Sequence, residues 1–126
     1  MNLFIDNKSG APIYDQIYTQ IKNEILNGNL QPDEALPSIR ALARDLRISV
    51  ITTKRAYEEL EREGLIVTQT GRGSFVAEVS GERLREEQRR AVEKHLADAV
   101  HAAKMGGLTA EEFIEIAKTA FEEGEK

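Results

Sequence analysis

The chain has 126 residues, 40% hydrophobic and 31% charged, with a net charge of −5 and no cysteine. That fits one domain, or a small domain with an appendage, and leaves no disulfide framework or thiolate metal site. No apolar run approaches the roughly 18–20 residues of a membrane span. The opening "MNLFIDNKSG" also lacks the basic start and apolar core of a signal peptide, so the expected location is the cytoplasm.

The run "MNLFID" alternates well enough to predict a short first strand. "APIYDQIYTQIKNEILNGNL" predicts a helix: Pro12 suits its first turn, Ile13, Ile17, Ile21 and Ile25 share one face, and Gly28 stops it. "QPDEALP" is a loop stiffened by Pro32 and Pro37. Ser38 caps the next helix, whose apolar stripe is Ile39, Leu42, Ala43 and Leu46. A gap of three residues, Arg47, Ile48 and Ser49, leads into a helix over 50–63. Two short helices joined by a tight turn make a helix-turn-helix.

After Gly64, "LIVTQTGRGSFVAEV" holds two β-rich runs, Leu65 to Gln69 and Ser74 to Val79, around "TGRG". That is a hairpin signal, and a helix-turn-helix followed by a hairpin is a winged helix. Beyond Ser80, "ERLREEQRRAVEKHLADAVHAAKM" predicts a long helix with Leu84, Ala91, Val92, Leu96, Ala99, Val100 and Ala103 on one side. Gly106-Gly107 breaks it. "LTAEEFIEIAKTAFEEG" then begins with a capping box, Thr109 and Glu112, with Leu108 and Phe113 spaced as a hydrophobic staple. Phe113, Ile114, Ile116, Ala117, Ala120 and Phe121 form its apolar face. The tail therefore reads as a helical hairpin that closes one seam against itself and leaves apolar surface over.

Charge is distributed unevenly. Between Arg40 and Arg55 there are five cations (Arg40, Arg44, Arg47, Lys54, Arg55) and one anion (Asp45), a net +4 that leaves −9 over the rest. A basic patch on an acidic chain points to a directed anionic partner. On a helical wheel, Thr53, Ala56, Tyr57 and Leu60 face the core, while Ile51, Lys54, Arg55, Glu58 and Arg62 face outward with Thr52 on the flank. Cations near a helix amino end oppose the helix dipole by a few tenths to about 1 kcal/mol. DNA phosphates would outweigh that cost, and recognition helices enter the major groove by this end.

"LPSIRALARDLRISVITTKRAYEELEREGLIVTQTGRGSFVA", with "PIYDQIYTQIKNEILNGNLQPDEALPS" upstream, resembles the DNA-binding domain of GntR-family bacterial transcription regulators. The resemblance covers roughly residues 2–77. The short helical tail is similar to that of the YtrA-like subfamily, whose members carry a small dimerisation domain. The resemblance implies DNA contacts at Arg40 of "LPSIR", at Ser49, Thr52 and Lys54, and at Gly71 with its neighbours in the wing. Together with Ser38, Val50, Ile51, Arg55, Thr70 and Arg72, these make up the candidate DNA-binding residues. Relatives often place a basic or polar residue where this chain has Val50-Ile51. Ile51 either contacts a thymine methyl or is neutral. Arg40 has a second reading as a local ion-pair partner, and Arg72 as an exposed arginine in a hairpin turn.

No enzyme constellation emerges. His95 and His101 lie six residues apart, about 120° off register on a helix. Glu86-Glu87 and Glu111-Glu112 read as surface charge and capping. "TGRGS" lacks the following Lys-Ser/Thr of a phosphate-binding loop. No cofactor or metal is implied.

The expected fold class is mostly α (α+β), with a winged helix-turn-helix DNA-binding domain over 1–79 and a two-helix dimerisation hairpin over 80–126. The expected dimer interface comprises Leu84, Val92, Leu96, Val100, Phe113, Ile116 and Phe121. The expected function is transcription regulation, most often repression in relatives, by a homodimer on an inverted-repeat operator in double-stranded DNA. An unidentified small-molecule effector has room in this scheme. The alternative is a winged-helix protein-interaction adaptor without sequence-specific DNA binding.

Overall fold

The four isoleucines spaced four apart lie on a helix, α1 (Ile13–Leu26), and Ile17, Ile21 and Ile25 are buried. The structure, a computed structural model, describes residues 1–124. Pro12 stands just before α1 rather than in its first turn, and its carbonyl accepts from the amides of Asp15 and Gln16, both at 3.1 Å. Gly28, at φ +80°, follows the end of the helix.

No strand forms over residues 1–6, which corrects the expectation from their alternation. The alternation itself is real: Leu3 and Ile5 pack against the core while Phe4 is 71% exposed. What is missing is a neighbouring strand. Glutamine side chains of α1 supply the backbone partners instead. Phe4 donates to Gln20 Oε1 (3.2 Å) and its carbonyl accepts from Gln20 Nε2 (2.8 Å). Asp6 and Gln16 repeat the pairing at 2.8 and 3.0 Å.

Helices α2 (Ile39–Leu46) and α3 (Val50–Arg62) form the helix-turn-helix. Each begins with a serine cap: Ser38 Oγ accepts from the Ala41 amide and Ser49 Oγ from the Thr52 amide, both at 3.0 Å. The turn closes with Arg47 in the left-handed region, φ 58°. The Arg47 amide donates to the Arg44 carbonyl and the Ile48 amide to the Ala43 carbonyl, the pairing of a Schellman stop. Gly64 and Leu65 repeat that pairing after α3.

The wing is an antiparallel pair, β1 (Ile66–Gln69) and β2 (Gly73–Val76), with Ile66 opposite Val76 and Gln69 opposite Gly73. Both strands are shorter than expected, β2 ending at Val76 rather than Val79. The loop before α2 adds a third edge. Ala35 bridges Phe75, and the Asp33 and Leu36 amides donate to the Val76 and Ser74 carbonyls at 2.8 and 2.9 Å. Ile17 and Ile21 of α1, Ala56, Tyr57 and Leu60 of α3, and Leu65, Ile66 and Val76 of the wing make one core. Fully burying an aliphatic side chain contributes about 1.5–3 kcal/mol. These contacts fix α3 between α1 and the wing.

Contacts divide the chain into two compact units, Met1–Gly81 and a second that begins at Glu82. Helix α4 (Gly81–Met105) ends in a third Schellman pairing, Gly107 to Lys104 and Leu108 to Ala103, with Gly107 at φ +73°. Helix α5 (Ala110–Glu123) carries the expected capping box: Thr109 and Glu112 exchange hydrogen bonds of 2.9 and 3.1 Å. The expected seam between the two helices is not closed. Ala103, near the turn, is the buried residue of α4, and α5 buries none. Val92, Leu96, Ile116 and Phe121 are exposed, Phe121 at 89%, while Leu84, Val100 and Phe113 are half-buried.

Candidate nucleic-acid interface

The amino-terminal half of α3 divides by helical period. Thr53, Ala56 and Tyr57 point into the core, and the outward row holds Ile51, Lys54 and Arg55, with Thr52 half-buried on the flank. Thr53 is the buried polar side chain of the unit, and its hydroxyl donates to the Ser49 carbonyl at 3.1 Å. Its partner lies within the same turn, so the helix start is rigid rather than frayed. Ser49 Oγ donates to Thr52 Oγ1 at 2.8 Å while accepting from the Thr52 amide. The cap and the first flanking hydroxyl therefore form one fixed pair.

Val50 and Ile51 lie on the surface, Ile51 at 81% exposure. An apolar side chain presented to water at a helix amino end is uncovered by anything in its own unit. Arg40, in the first turn of α2, is exposed and has no ion-pair partner among the described residues. The local ion-pair reading of Arg40 is therefore not observed. Lys54, Arg47 and Arg72 are likewise exposed and lack an ion-pair partner among the described residues. Arg44 approaches Asp45 at 4.0 Å with both side chains largely in water, an arrangement worth little.

Arg55 is placed differently from its neighbour. Its guanidinium carbon lies 3.7 Å from the centroid of the Tyr14 ring on α1. Nothing in the sequence signals that pair, because it depends on how α1 packs on α3. The sequence reading did not include Tyr14 among the candidate residues.

Tyr57 sets the spacing of the two short helices. Its hydroxyl donates to the Pro37 carbonyl at 2.7 Å, just before the Ser38 cap. Burial pushes the phenol up to about 12.

The wing tip is Thr70, Gly71 and Arg72, all exposed. The Arg72 amide donates to the Gln69 carbonyl at 2.9 Å, and Gly71 and Gly73 have φ of +79° and +108°. The tip is tied back to α3 through β1, whose Thr68 amide donates to Glu61 Oε1 at 3.2 Å. Thr68 and Ser74 hydroxyls pair across the strands at 3.0 Å. The structure thus joins Ser49 to Thr52 and Arg55 to Tyr14. It shows no direct contact among Arg40, Lys54 and Arg72.

The seven tail residues expected at a dimer interface all lie on α4 and α5, in the second unit. No described helix is long and apolar enough to cross a membrane.

Comparison with known proteins places these features. The model of the family described as "Bacterial regulatory proteins, gntR family" matches residues 13–76. That stretch runs from the start of α1 to the end of the wing. The chain is 37% identical over 111 residues to the HTH-type transcriptional repressor YtrA of Bacillus subtilis, covering 88% of this chain and 85% of that protein. Among solved structures, a transcriptional regulator from Oenococcus oeni superposes with a TM-score of 0.78 at 25% identity, covering 93% of this chain and 97% of that one. AraR(DBD) in complex with operator ORX1 superposes with a TM-score of 0.54 at 26% identity, covering 61% of this chain and 96% of that one.

Proposed function

The chain belongs to the gntR family of bacterial regulatory proteins and is a DNA-binding transcription regulator rather than an enzyme; on that premise we propose that it acts as a homodimer that represses transcription from an inverted-repeat operator. The observation that carries this reading is the uncovered apolar face of the tail. Val92, Leu96, Ile116 and Phe121 stand exposed on α4 and α5. Isolated surface residues of this kind need no explanation, but Val92 with Leu96, four apart on α4, and the likewise exposed Ile114 with Phe121, seven apart on α5, each share a helix face, and apolar rows of this kind do. A second copy would supply the same face in return and build a four-helix bundle under two-fold symmetry, the commonest closed arrangement. The repressor named among its relatives supports the direction of control.

Each protomer then presents one recognition helix. Ser49, Thr52 and Lys54 approach base edges and phosphates, Ile51 and Val50 the floor of the groove, and Arg40 with Ser38 the backbone beside it. Thr70, Gly71 and Arg72 of the wing follow the neighbouring groove or phosphates. Two such helices about one DNA turn apart, roughly 34–36 Å, read two half-sites in opposite orientation. A small-molecule effector, where one exists, acts by shifting the population of that spacing. The site of action is the cytoplasm, where the DNA is.

Selection of bound sequences from random duplex DNA tests this directly. The expected result is an inverted repeat whose half-site centres lie one helical turn, or a small multiple of it, apart. Recovery of single, unpaired half-sites would contradict the dimeric reading. Recovery of no consensus at all would contradict sequence-specific binding.

A further inference from the structure

Arg55 and Lys54 are adjacent cations on the outward face of α3, yet only Arg55 is held. Its guanidinium carbon lies 3.7 Å above the Tyr14 ring centroid, the separation of two flat groups in van der Waals contact. Tyr14 is itself fixed. It stands in the first turn of α1, is half-buried, and packs against the core formed by Ile17 and Ile21. An arginine stacked face-on uses its plane and spends none of its donors, because all five N–H groups point outward along the edge of that plane. Arg55 remains exposed and has no ion-pair partner among the described residues. It also follows Ile51 by four residues and Thr52 by three, so it continues their row along the helix. The result is a pre-set donor edge, one helical turn beyond the amino end, leaning toward α1.

We propose that Tyr14 is a positioning residue of the DNA interface, holding Arg55 flat so that its free edge meets a backbone phosphate beside the groove. The inference rests on α3 being the element that meets DNA. A phosphate suits this arginine better than a base does. Its backbone continues the row of Ile51 and Thr52, but its side chain is drawn onto Tyr14 of α1. Pre-organisation also fits a phosphate contact, since a planar fork that is already immobile loses less freedom when it binds. Cation–π contact at an exposed site is worth enough to change binding about 2–5-fold.

The test is a double-mutant cycle on the full chain, read by titration of a fluorescent mixed-sequence duplex and of the selected operator across a range of salt. Arg55→Ala is expected to weaken both duplexes by the same factor and to reduce the salt slope by about 1.8, about 0.9 for the phosphate lost by each protomer of the dimer. Tyr14→Leu is expected to weaken both about 2–5-fold per protomer, about 4–25-fold for the dimer, and to have no further effect in the Arg55→Ala background. Tyr14→Phe keeps the ring and should bind as the natural chain does. An equal effect of Tyr14→Leu with and without Arg55 would reduce Tyr14 to a structural role and overturn the inference. So would loss of binding to the operator alone in Arg55→Ala. Should Tyr14→Leu fail to fold, Arg55→Lys decides the matter: it keeps the charge but cannot stack flat, and wild-type affinity in that variant contradicts the proposal. Lys54→Ala run alongside separates the two levels. If it weakens binding while Arg55→Ala does not, this inference falls alone. If neither does, the reading of α3 falls with it.

Discussion

The guanidinium carbon of Arg55 sits 3.7 Å from the centroid of the Tyr14 ring, so the second cation of α3 is anchored to α1 while the first, Lys54, is exposed and has no ion-pair or ring partner among the described residues. On the proposed interface these two neighbours of like charge take different tasks. Lys54 is an exposed point charge on a flexible stem that can follow a base edge or a phosphate. Arg55 is a fixed planar fork.

That difference is measurable. Lys54→Ala should cost about 1–3 kcal/mol in operator binding if it reads a base, and relax specificity at one position. If it meets only phosphate, affinity should fall alike for every sequence. Binding titrations against the selected operator and single-base variants check this. Unchanged operator affinity in both Lys54→Ala and Arg55→Ala would remove α3 as the reader.

The wing tip depends on backbone conformation rather than on space. A Cβ at Gly71 would meet nothing within 4 Å, but φ is +79°. The left-handed region costs a non-glycine residue about 1–2 kcal/mol, and a β-branched one is a clear outlier there. Gly71→Val should therefore distort the tip and move Arg72, weakening DNA binding while leaving the oligomeric state intact. Gly71→Asn, which tolerates this region, should bind nearly normally. Equal affinity of all three forms would make the wing a strut without a contact.

Arg47 closes the turn of the helix-turn-helix at φ 58°. Glycine at that position relieves most of the left-handed penalty but loosens the unfolded chain. The net expectation for Arg47→Gly is a stabilisation of about 0.5–1 kcal/mol, read from urea denaturation. A destabilised variant would show that the arginine side chain makes up for its backbone.

Tyr57 and Pro37 give a stability prediction with a pH signature. Tyr57→Phe removes the 2.7 Å hydrogen bond to the Pro37 carbonyl and should cost about 1 kcal/mol. The folded phenol, pushed up to about 12 by burial, lies above its ordinary value near 10. Its contribution is therefore fully present below pH 10 and is lost as pH rises toward 12. Urea midpoints followed through that window should fall for the natural chain, and this component of the fall should be missing in Tyr57→Phe. Parallel profiles for the two proteins would contradict the assignment.

Helix starts were the most legible part of the sequence. Ser38, Ser49 and Thr109 each cap where the spacing of side-chain acceptors and apolar residues says they should. The reason is locality: a cap bonds to an amide three residues on. What was not legible depends on tertiary placement. Residues 1–6 alternate like a strand, but whether a strand forms depends on a neighbouring strand, and these residues bond instead to Gln16 and Gln20 of α1, while the third strand-like pairing of the wing, on β2, comes from Ala35. That pairing was hidden in turn by the flanking prolines Pro32 and Pro37, which mark a loop. The outward row of α3 followed from helical period alone. The clasp between Tyr14 and Arg55 did not, because it joins two helices far apart in sequence. The tail's apolar residues were legible by type and spacing. That apolar surface would be left over was legible as well; that α4 and α5 would not close a seam between them was not, since that depends on how the turn at Gly106-Gly107 sets the two helices.

The tail prediction follows from that uncovered surface. Ile116 and Phe121 lie five residues apart on α5 and are both exposed. Burying an Ile side chain contributes on the order of 2 kcal/mol, and two-fold symmetry counts it twice. Ile116→Asp should then weaken the dimer by ~4 kcal/mol, about 10³-fold, without unfolding the winged helix, whose core lies in the other unit.

The measurement that bears most directly on the whole account is sedimentation of the full chain beside one ending at Ser80, each alone and with operator DNA. The full chain of 14.1 kDa should sediment at twice that mass, and the shortened one as a monomer. The shortened form should also bind a palindromic site about 10²–10⁴-fold more weakly, because the linked second half-site no longer acts at high effective concentration. A full chain that stays monomeric at tens of micromolar, with and without DNA, would contradict the dimer and with it the reading of an inverted repeat.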